Sequence, residues 1–283
     1  MCCGNRGLNG IQERVLSMWI LIKRYIEIYI AFFKAGFITD IEYRANFIFR
    51  ILGDILWYTG QLATFEVIYL QTPTLGGWNI EQLRIFLGVL FVVDSLYMIL
   101  FAENLDHFSE KVKKGDLDLL LAKPVDTQFM LSCKKVGTLY CASFLIASSF
   151  LTWAIYSYSH SFSWIQIFWF LILLPCGLLI MYSFKFSFSI LAIIFSNSQN
   201  LQYAWYQFYR LGMRPDSIYQ PWLRYILLSV LPVALISSTP ARILVYGVTQ
   251  NLVIWSLMMT AITLIASRLL WKKSVKYYGS ASS

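Results

Sequence analysis

The sequence predicts an all-α integral membrane protein with six transmembrane helices, and three observations carry that fold class. Hydrophobic residues make up 58% of the 283 and charged residues 13%, at a mean hydropathy of +0.60. That is more apolar side chain than a soluble core of this size can bury. The apolar residues come in stretches of roughly twenty, the length a helix needs to cross a bilayer. The net charge of +8 gathers beside those stretches, as topology signals do. Placed there it argues for no nucleic acid as a partner. Six spans and short loops use up the chain, so residues 1–283 form a single transmembrane domain.

The first apolar stretch, residues 15–37, carries Lys23, Glu27 and Lys34 on one helical face, which predicts a helix lying in the membrane interface. The first span is expected at 46–70. It contains Arg50, Asp54, Gln61 and Glu66, a costly set in hydrocarbon. Arg50 and Asp54 stand four apart and can pair, and their stripe should face protein or water. Residues 85–102 read as a second span broken only by Asp94, and 137–158 and 164–195 as the third and fourth. The last span is expected at 248–270, followed by a basic tail.

Between 196 and 247 two readings compete. Hydropathy favours a span over 224–241, yet Pro232 and Pro240 fall in it, and proline breaks the ladder of a helix interior. Broken helices persist at membrane depth where they are buried in protein or line a cavity. We therefore expect an aromatic fifth span at 198–214 and a re-entrant pair at 216–244 dipping in from the outer side. Either choice leaves six spans. The first 45 residues and the 104–136 loop each carry six Lys or Arg, the tail from Arg268 carries four, and segments 71–81 and 159–165 carry none. That bias puts both termini in the cytoplasm. Arg214, Arg224 and Arg242 then sit on the outer side, against the rule.

Little raw material for catalysis is present. There are two histidines, His107 and His160, and no H-E-x-x-H, G-x-S-x-G or Cys/His cluster, so no enzyme and no metal site is expected. Cys133, Cys141 and Cys176 lie in or beside apolar stretches and read as small buried hydrophobes, and Cys2 and Cys3 carry no signal. Asp94 and Lys185 are the notable intramembrane charges. Lys185 is expected to neutralise Asp94 or Glu66. An alternative function, an ion-coupled secondary transporter, would need such charges to titrate. Tyr203, Trp205, Tyr206, Phe208 and Tyr209 bunch in the fifth span, which suits packing at an interface or contact with an amphipathic substrate.

The stretch KVKKGDLDLLLAKPVD, residues 111–126, is the exception to this greasy pattern. Gly115 permits a turn, Asp116 and Asp118 favour a helix start, Lys123 favours its last turn, and Pro124 stops it. The result is a cytoplasmic helix of about two turns, too short to be stable alone in water. Leu117, Leu120 and Leu121 form one face, and exposing that face costs free energy. It either folds against its own spans or inserts into a groove on a soluble partner.

At these residues the chain resembles the permease subunits of ATP-binding-cassette exporters of the ABC-2 type, in the branch whose cytoplasmic loop reads G-x-L-D-x-x-L-x-x-P. Here that pattern is Gly115, Leu117, Asp118, Leu121 and Pro124. The resemblance continues through Pro215, Ile218, Tyr219, Trp222, Leu223, Arg224, Pro232 and Pro240, and in the closing WKKSVKYYGSAS. It implies a six-span subunit with an N-terminal elbow helix, a coupling helix at Gly115 to Pro124 that includes Leu120, and re-entrant helices forming an outer gate at Tyr219, Pro232 and Pro240. It also implies a multi-pass protein of a bacterial inner membrane, paired with an identical or sister permease and carrying two cytoplasmic ATPase subunits. The chain has no G-x-x-x-x-G-K-[ST] run, so ATP and Mg are expected in the partner ATPase and no cofactor in this chain.

Overall fold

In a computed structural model, residues 5–42, 44–194 and 198–278 are described, and every regular element among them is helical. Cys2 and Cys3 lie outside those residues. Helix α1 runs Asn5–Glu42 and α2 Arg44–Tyr69; α3 is Ile80–Tyr97, followed after a widened turn by α4 (Glu103–Leu105) and α5 (Phe108–Lys113). Then come α6 (Asp116–Leu121), α7 (Thr127–Cys133), α8 (Cys141–Tyr156), α9 (Trp164–Ile194) and α10 (Ser198–Gly212). The chain closes with α11 (Pro221–Ser229), α12 (Ala234–Tyr246) and α13 (Gln250–Val275).

Among the described residues, four stretches are long and apolar enough to cross a membrane: Ile80–Val112, Thr138–Tyr156, Trp164–Leu191 and Gln250–Val275. They correspond to the expected spans at 85–102, 137–158, 164–195 and 248–270, with the first and last longer than expected. The bent pair α11 and α12 makes a fifth if it counts as one span. The expected spans at 46–70 and 198–214 both form helices, but neither meets that standard. Helix α2 carries Arg50, Asp54 and Glu66, and α10, at 15 residues, is only about 22 Å long. The interfacial stretch at 15–37 is part of a longer helix of 38 residues.

Helix α3 is the centre of the fold. Its span is 72% buried over its most apolar window, against 33% for those of α8 and α13, so protein surrounds α3 where lipid can reach the other two. It packs on α8 and α12, while α9 packs on α12 and α13. An Asn79 capping box starts α3: Asn79 accepts from the Gln82 N–H at 2.9 Å and Gln82 returns the contact at 3.0 Å. Past Tyr97 the helix widens to a π-turn over Met98–Ala102. There the Ile99 carbonyl accepts from the Gly137 N–H at 2.9 Å, and this partner occupies a carbonyl that the irregular ladder leaves available.

Helices α11 and α12 meet at 102°, with Pro232 in the break. Pro240, expected to interrupt the segment, instead lies buried inside α12. The corner is held by Asp216, 2% exposed, which accepts from Arg224 Nε and from Arg242 at 2.7 Å each. Arg224 and Arg242, two of the three arginines expected on the outer side, are thereby paired with a buried carboxylate. That is the physical reason they do not weigh as free positive charge.

Helix α9 and α12 approach so closely that only glycine fits between them. A Cβ added at Gly177 would lie 2.3 Å from the Ile236 carbonyl oxygen, whereas one at Gly60 meets nothing within 4 Å. Gly177→Ala is therefore expected to destabilise the folded chain by about 1–3 kcal/mol through overpacking, with Gly60→Ala near neutral. Thermal unfolding of the two variants in one detergent checks the pair, and equal midpoints would contradict the close approach.

Candidate functional site

Two places concentrate polar chemistry: a cavity among the longer helices and the short helix α6. The cavity, about 650 Å³, lies among α2, α3, α9 and α10. It gathers all four intramembrane polar residues singled out from the sequence, Arg50, Asp54, Asp94 and Lys185. Their partners differ from those expected. Arg50 does not pair with Asp54; its guanidinium sits 4.1 Å from the centroid of the Tyr140 ring, and Asp54 accepts from the Ser143 hydroxyl. Lys185, 4% exposed, pairs with Asp106 at 2.6 Å and with Gln202, and neither Asp94 nor Glu66 reaches it. Glu66 is taken by Arg84 at 2.6 Å.

Asp94 accepts from the Tyr209 hydroxyl at 3.0 Å. Tyr209 and Trp205, from the aromatic cluster of α10, are buried and stacked, while Tyr203 faces outward. Three carboxylates and two cations thus line one low-dielectric space. Asp106, Gln202 and Tyr97 also line it and were not legible from sequence, because nothing local marks them as cavity residues.

The short helix expected on the cytoplasmic side is α6. Gly115 adopts φ 77°, a left-handed conformation that favours glycine, and this turns the chain from α5 into α6. Asp116 and Asp118 occupy the first turn, and Pro124 follows the end. The leucine face divides otherwise than expected. Leu117 and Leu120 are buried, at 0% and 4%, in the main core with Phe108, Met130 and Leu131, so they belong to the chain's own packing. Leu119, 69% exposed, and Leu121, 36% exposed, are the leucines offered to solvent. Asp118 stands beside Tyr278, whose phenol is pushed up by burial and by that carboxylate.

Just beyond Pro124, Asp126 joins three elements. Its side chain caps α7 by accepting from the Phe129 N–H at 3.0 Å. Arg268 of α13 binds both carboxylate oxygens and also donates to Gln128 at 2.9 Å. The Asp126 N–H donates to the Tyr25 phenol of α1 at 3.2 Å, and Tyr25 meets Phe129 edge to face at 4.8 Å. From α7, Ser132 and Gln128 reach the Tyr182 hydroxyl of α9 at 2.8 and 3.2 Å. The segment that follows α6 is thus tied by polar contacts to α1, α9 and α13. Arg268 had read only as a topology charge.

Tyr219, expected at an outer gate, donates to the Leu211 carbonyl at 2.9 Å, tying the turn before α11 to the end of α10. Pro232 sits at the corner of the bent pair and Pro240 inside its second arm. A protein-family model described as "ABC-2 family transporter protein" matches residues 55–282. No curated protein and no solved structure matches the chain.

Burial raises the Asp126 carboxyl, but hydrogen bonds from Arg268 and the Phe129 N–H, with the Arg268 charge, outweigh it and hold the group below the usual carboxylate range. A depressed folded value means that the charge contributes stability above the unfolded value of about 3.9, and that this is lost as pH falls through the folded value. Asp126→Asn should lose about 1–3 kcal/mol at neutral pH. The gap from wild type should close in strong acid. Thermal midpoints of both proteins across that range check the sign; a gap that widens on acidification would contradict it.

Proposed function

The chain belongs to the ABC-2 family of transporter proteins, and on that premise we propose that it is the membrane-spanning permease subunit of an ATP-driven exporter. In this reading it is a multi-pass protein of the cell membrane with both termini cytoplasmic. Six helices cross, with α2 and α10 counted as spans because protein or a second permease, identical or sister, covers their polar or short stretches. The apolar side chains Phe49, Leu52 and Leu56 that α2 leaves exposed fit such a neighbour or lipid. Helix α1 lies in the interface as an elbow, its Trp19, Ile22 and Ile26 turned outward beside the exposed Lys23–Glu27 pair.

The single observation that carries the reading, beyond the family itself, is the construction of α6. A two-turn helix held by two buried leucines and presenting two exposed ones is a stiff knob on the cytoplasmic side. Two separate ATPase subunits, which would hold ATP and Mg, grip that knob. The residues Gly115, Leu117, Asp118 and Leu120 set its shape, Leu119 and Leu121 make its outer surface, and Pro124 ends it. Displacement of α6 passes through Asp126 into α13 and α1, and through Tyr182 into α9, tilting the spans against the partner permease. The outer gate opens at Tyr219, Pro232 and Pro240, where the bent pair is hinged. Such coupling requires that the ATPase bind the two permease states unequally, since a ligand without preference shifts nothing.

The double variant Leu119→Asp/Leu121→Asp is expected to lose at least about tenfold in ATPase association while inserting normally, as hot-spot truncations do. Leu120→Asp should instead unsettle the fold of the chain itself. Copurification from native membranes, with membrane insertion scored separately, distinguishes the two. An undiminished complex with the Leu119/Leu121 variant would exclude α6 as the docking element.

A further inference from the structure

The charges of the membrane cavity do not balance, and the imbalance has a chemical meaning. Lys185 is consumed by Asp106, and Arg50 lies over the Tyr140 ring. Asp54 and Asp94, both lining the cavity, are hydrogen-bonded among the described residues by neutral hydroxyls alone, from Ser143 and Tyr209. Three carboxylates against two cations leave one negative charge in a space of about 650 Å³ walled by aromatic rings. A carboxylate at membrane depth without a cation is expensive, so such groups face a functional partner.

A second, independent observation points the same way. Tyr97 lines the same cavity three residues from Asp94, hence on the same face of α3, and is 3% exposed. Its hydroxyl is buried with no hydrogen-bond partner among the described residues. A buried polar group left unmade is costly, and a native site usually supplies a partner from outside the chain. Both Asp94 and Asp106 lie within electrostatic reach of that phenol.

We propose that this cavity binds a protonated amine carried on an apolar or aromatic body. The ammonium donates to the free lone pairs of Asp94, one helical turn from the unpartnered Tyr97 hydroxyl, while Trp57, Tyr58 and Trp205, which also line the cavity, receive the body. An anion of the same shape meets uncompensated carboxylate and is rejected, and a neutral analogue leaves Asp94 unneutralised. This deepens the exporter reading by naming a substrate class, and it rests on that reading for its transport meaning.

The test uses the full chain in lipid nanodiscs and three matched probes: dansylcadaverine, its N-acetylated neutral form, and the anionic dansyl-aminohexanoate. Energy transfer from tryptophan to the dansyl group reads binding. The amine should bind at least about tenfold more tightly than either analogue, the discrimination that a charge-assisted hydrogen bond supplies. Asp94→Asn should abolish that preference while the neutral probe still binds, Asp94→Glu should keep it, and Tyr97→Phe should weaken it. Equal binding of the three probes to the wild-type chain, no binding, or a preference that survives Asp94→Asn overturns the proposal. The wild-type comparison decides even if Asp94→Asn fails to fold. ATPase copurification is scored separately: amine selectivity without an ATPase sinks the exporter reading alone, and an ATPase without selectivity sinks the amine site alone.

Discussion

A charged or hydrogen-bonding group cannot be left facing hydrocarbon, because neither water nor lipid tails will partner it there, and that constraint arranges the polar residues of this chain. Arg50 is covered by the Tyr140 ring, Asp54 by Ser143, Lys185 by Asp106 and Gln202, and Asp216 by two arginines. Each pairing joins elements distant in sequence, apart from the local Arg224 contact. The polar residues therefore fasten the helices together at a depth where the hydrophobic effect gives no preference between protein and lipid. The same pairings draw the side chains inward and leave the cavity between α2, α3, α9 and α10 lined by charge.

Outside the spans, packing takes over as the organising force. Helix α6 is too short to hold its shape by backbone hydrogen bonds, so Leu117 and Leu120 hold it by burial against Phe108, Met130 and Leu131. What remains outside is a rigid ridge. Asp126 then links the loop after that ridge to α13 and α1, and α7 links it to α9.

The close approach of α9 and α12 at Gly177 and the Asp216 clasp hold the bent pair α11 and α12 against its neighbours. Between the two ends stands α3, wrapped by protein nearly throughout. Asp94 and Tyr97 project from it one turn apart, so the most buried helix also carries the groups that the cavity leaves least satisfied.

The sequence by itself determined the membrane class, four of the spans, the short helix bounded by Gly115 and Pro124, and the bend near Pro232. These rest on local causes: a run of apolar residues is a span wherever it sits, and glycine and proline act on their own backbone. Only the tertiary structure decided which leucines of α6 face inward, that Lys185 meets Asp106 and not Asp94, that Arg50 leaves Asp54 for an aromatic ring, and that Pro240 stays within a helix. Helical spacing says which residues share a face but not what that face will meet. The partner is chosen by packing between elements dozens of residues apart, as when Arg268 reaches back to Asp126.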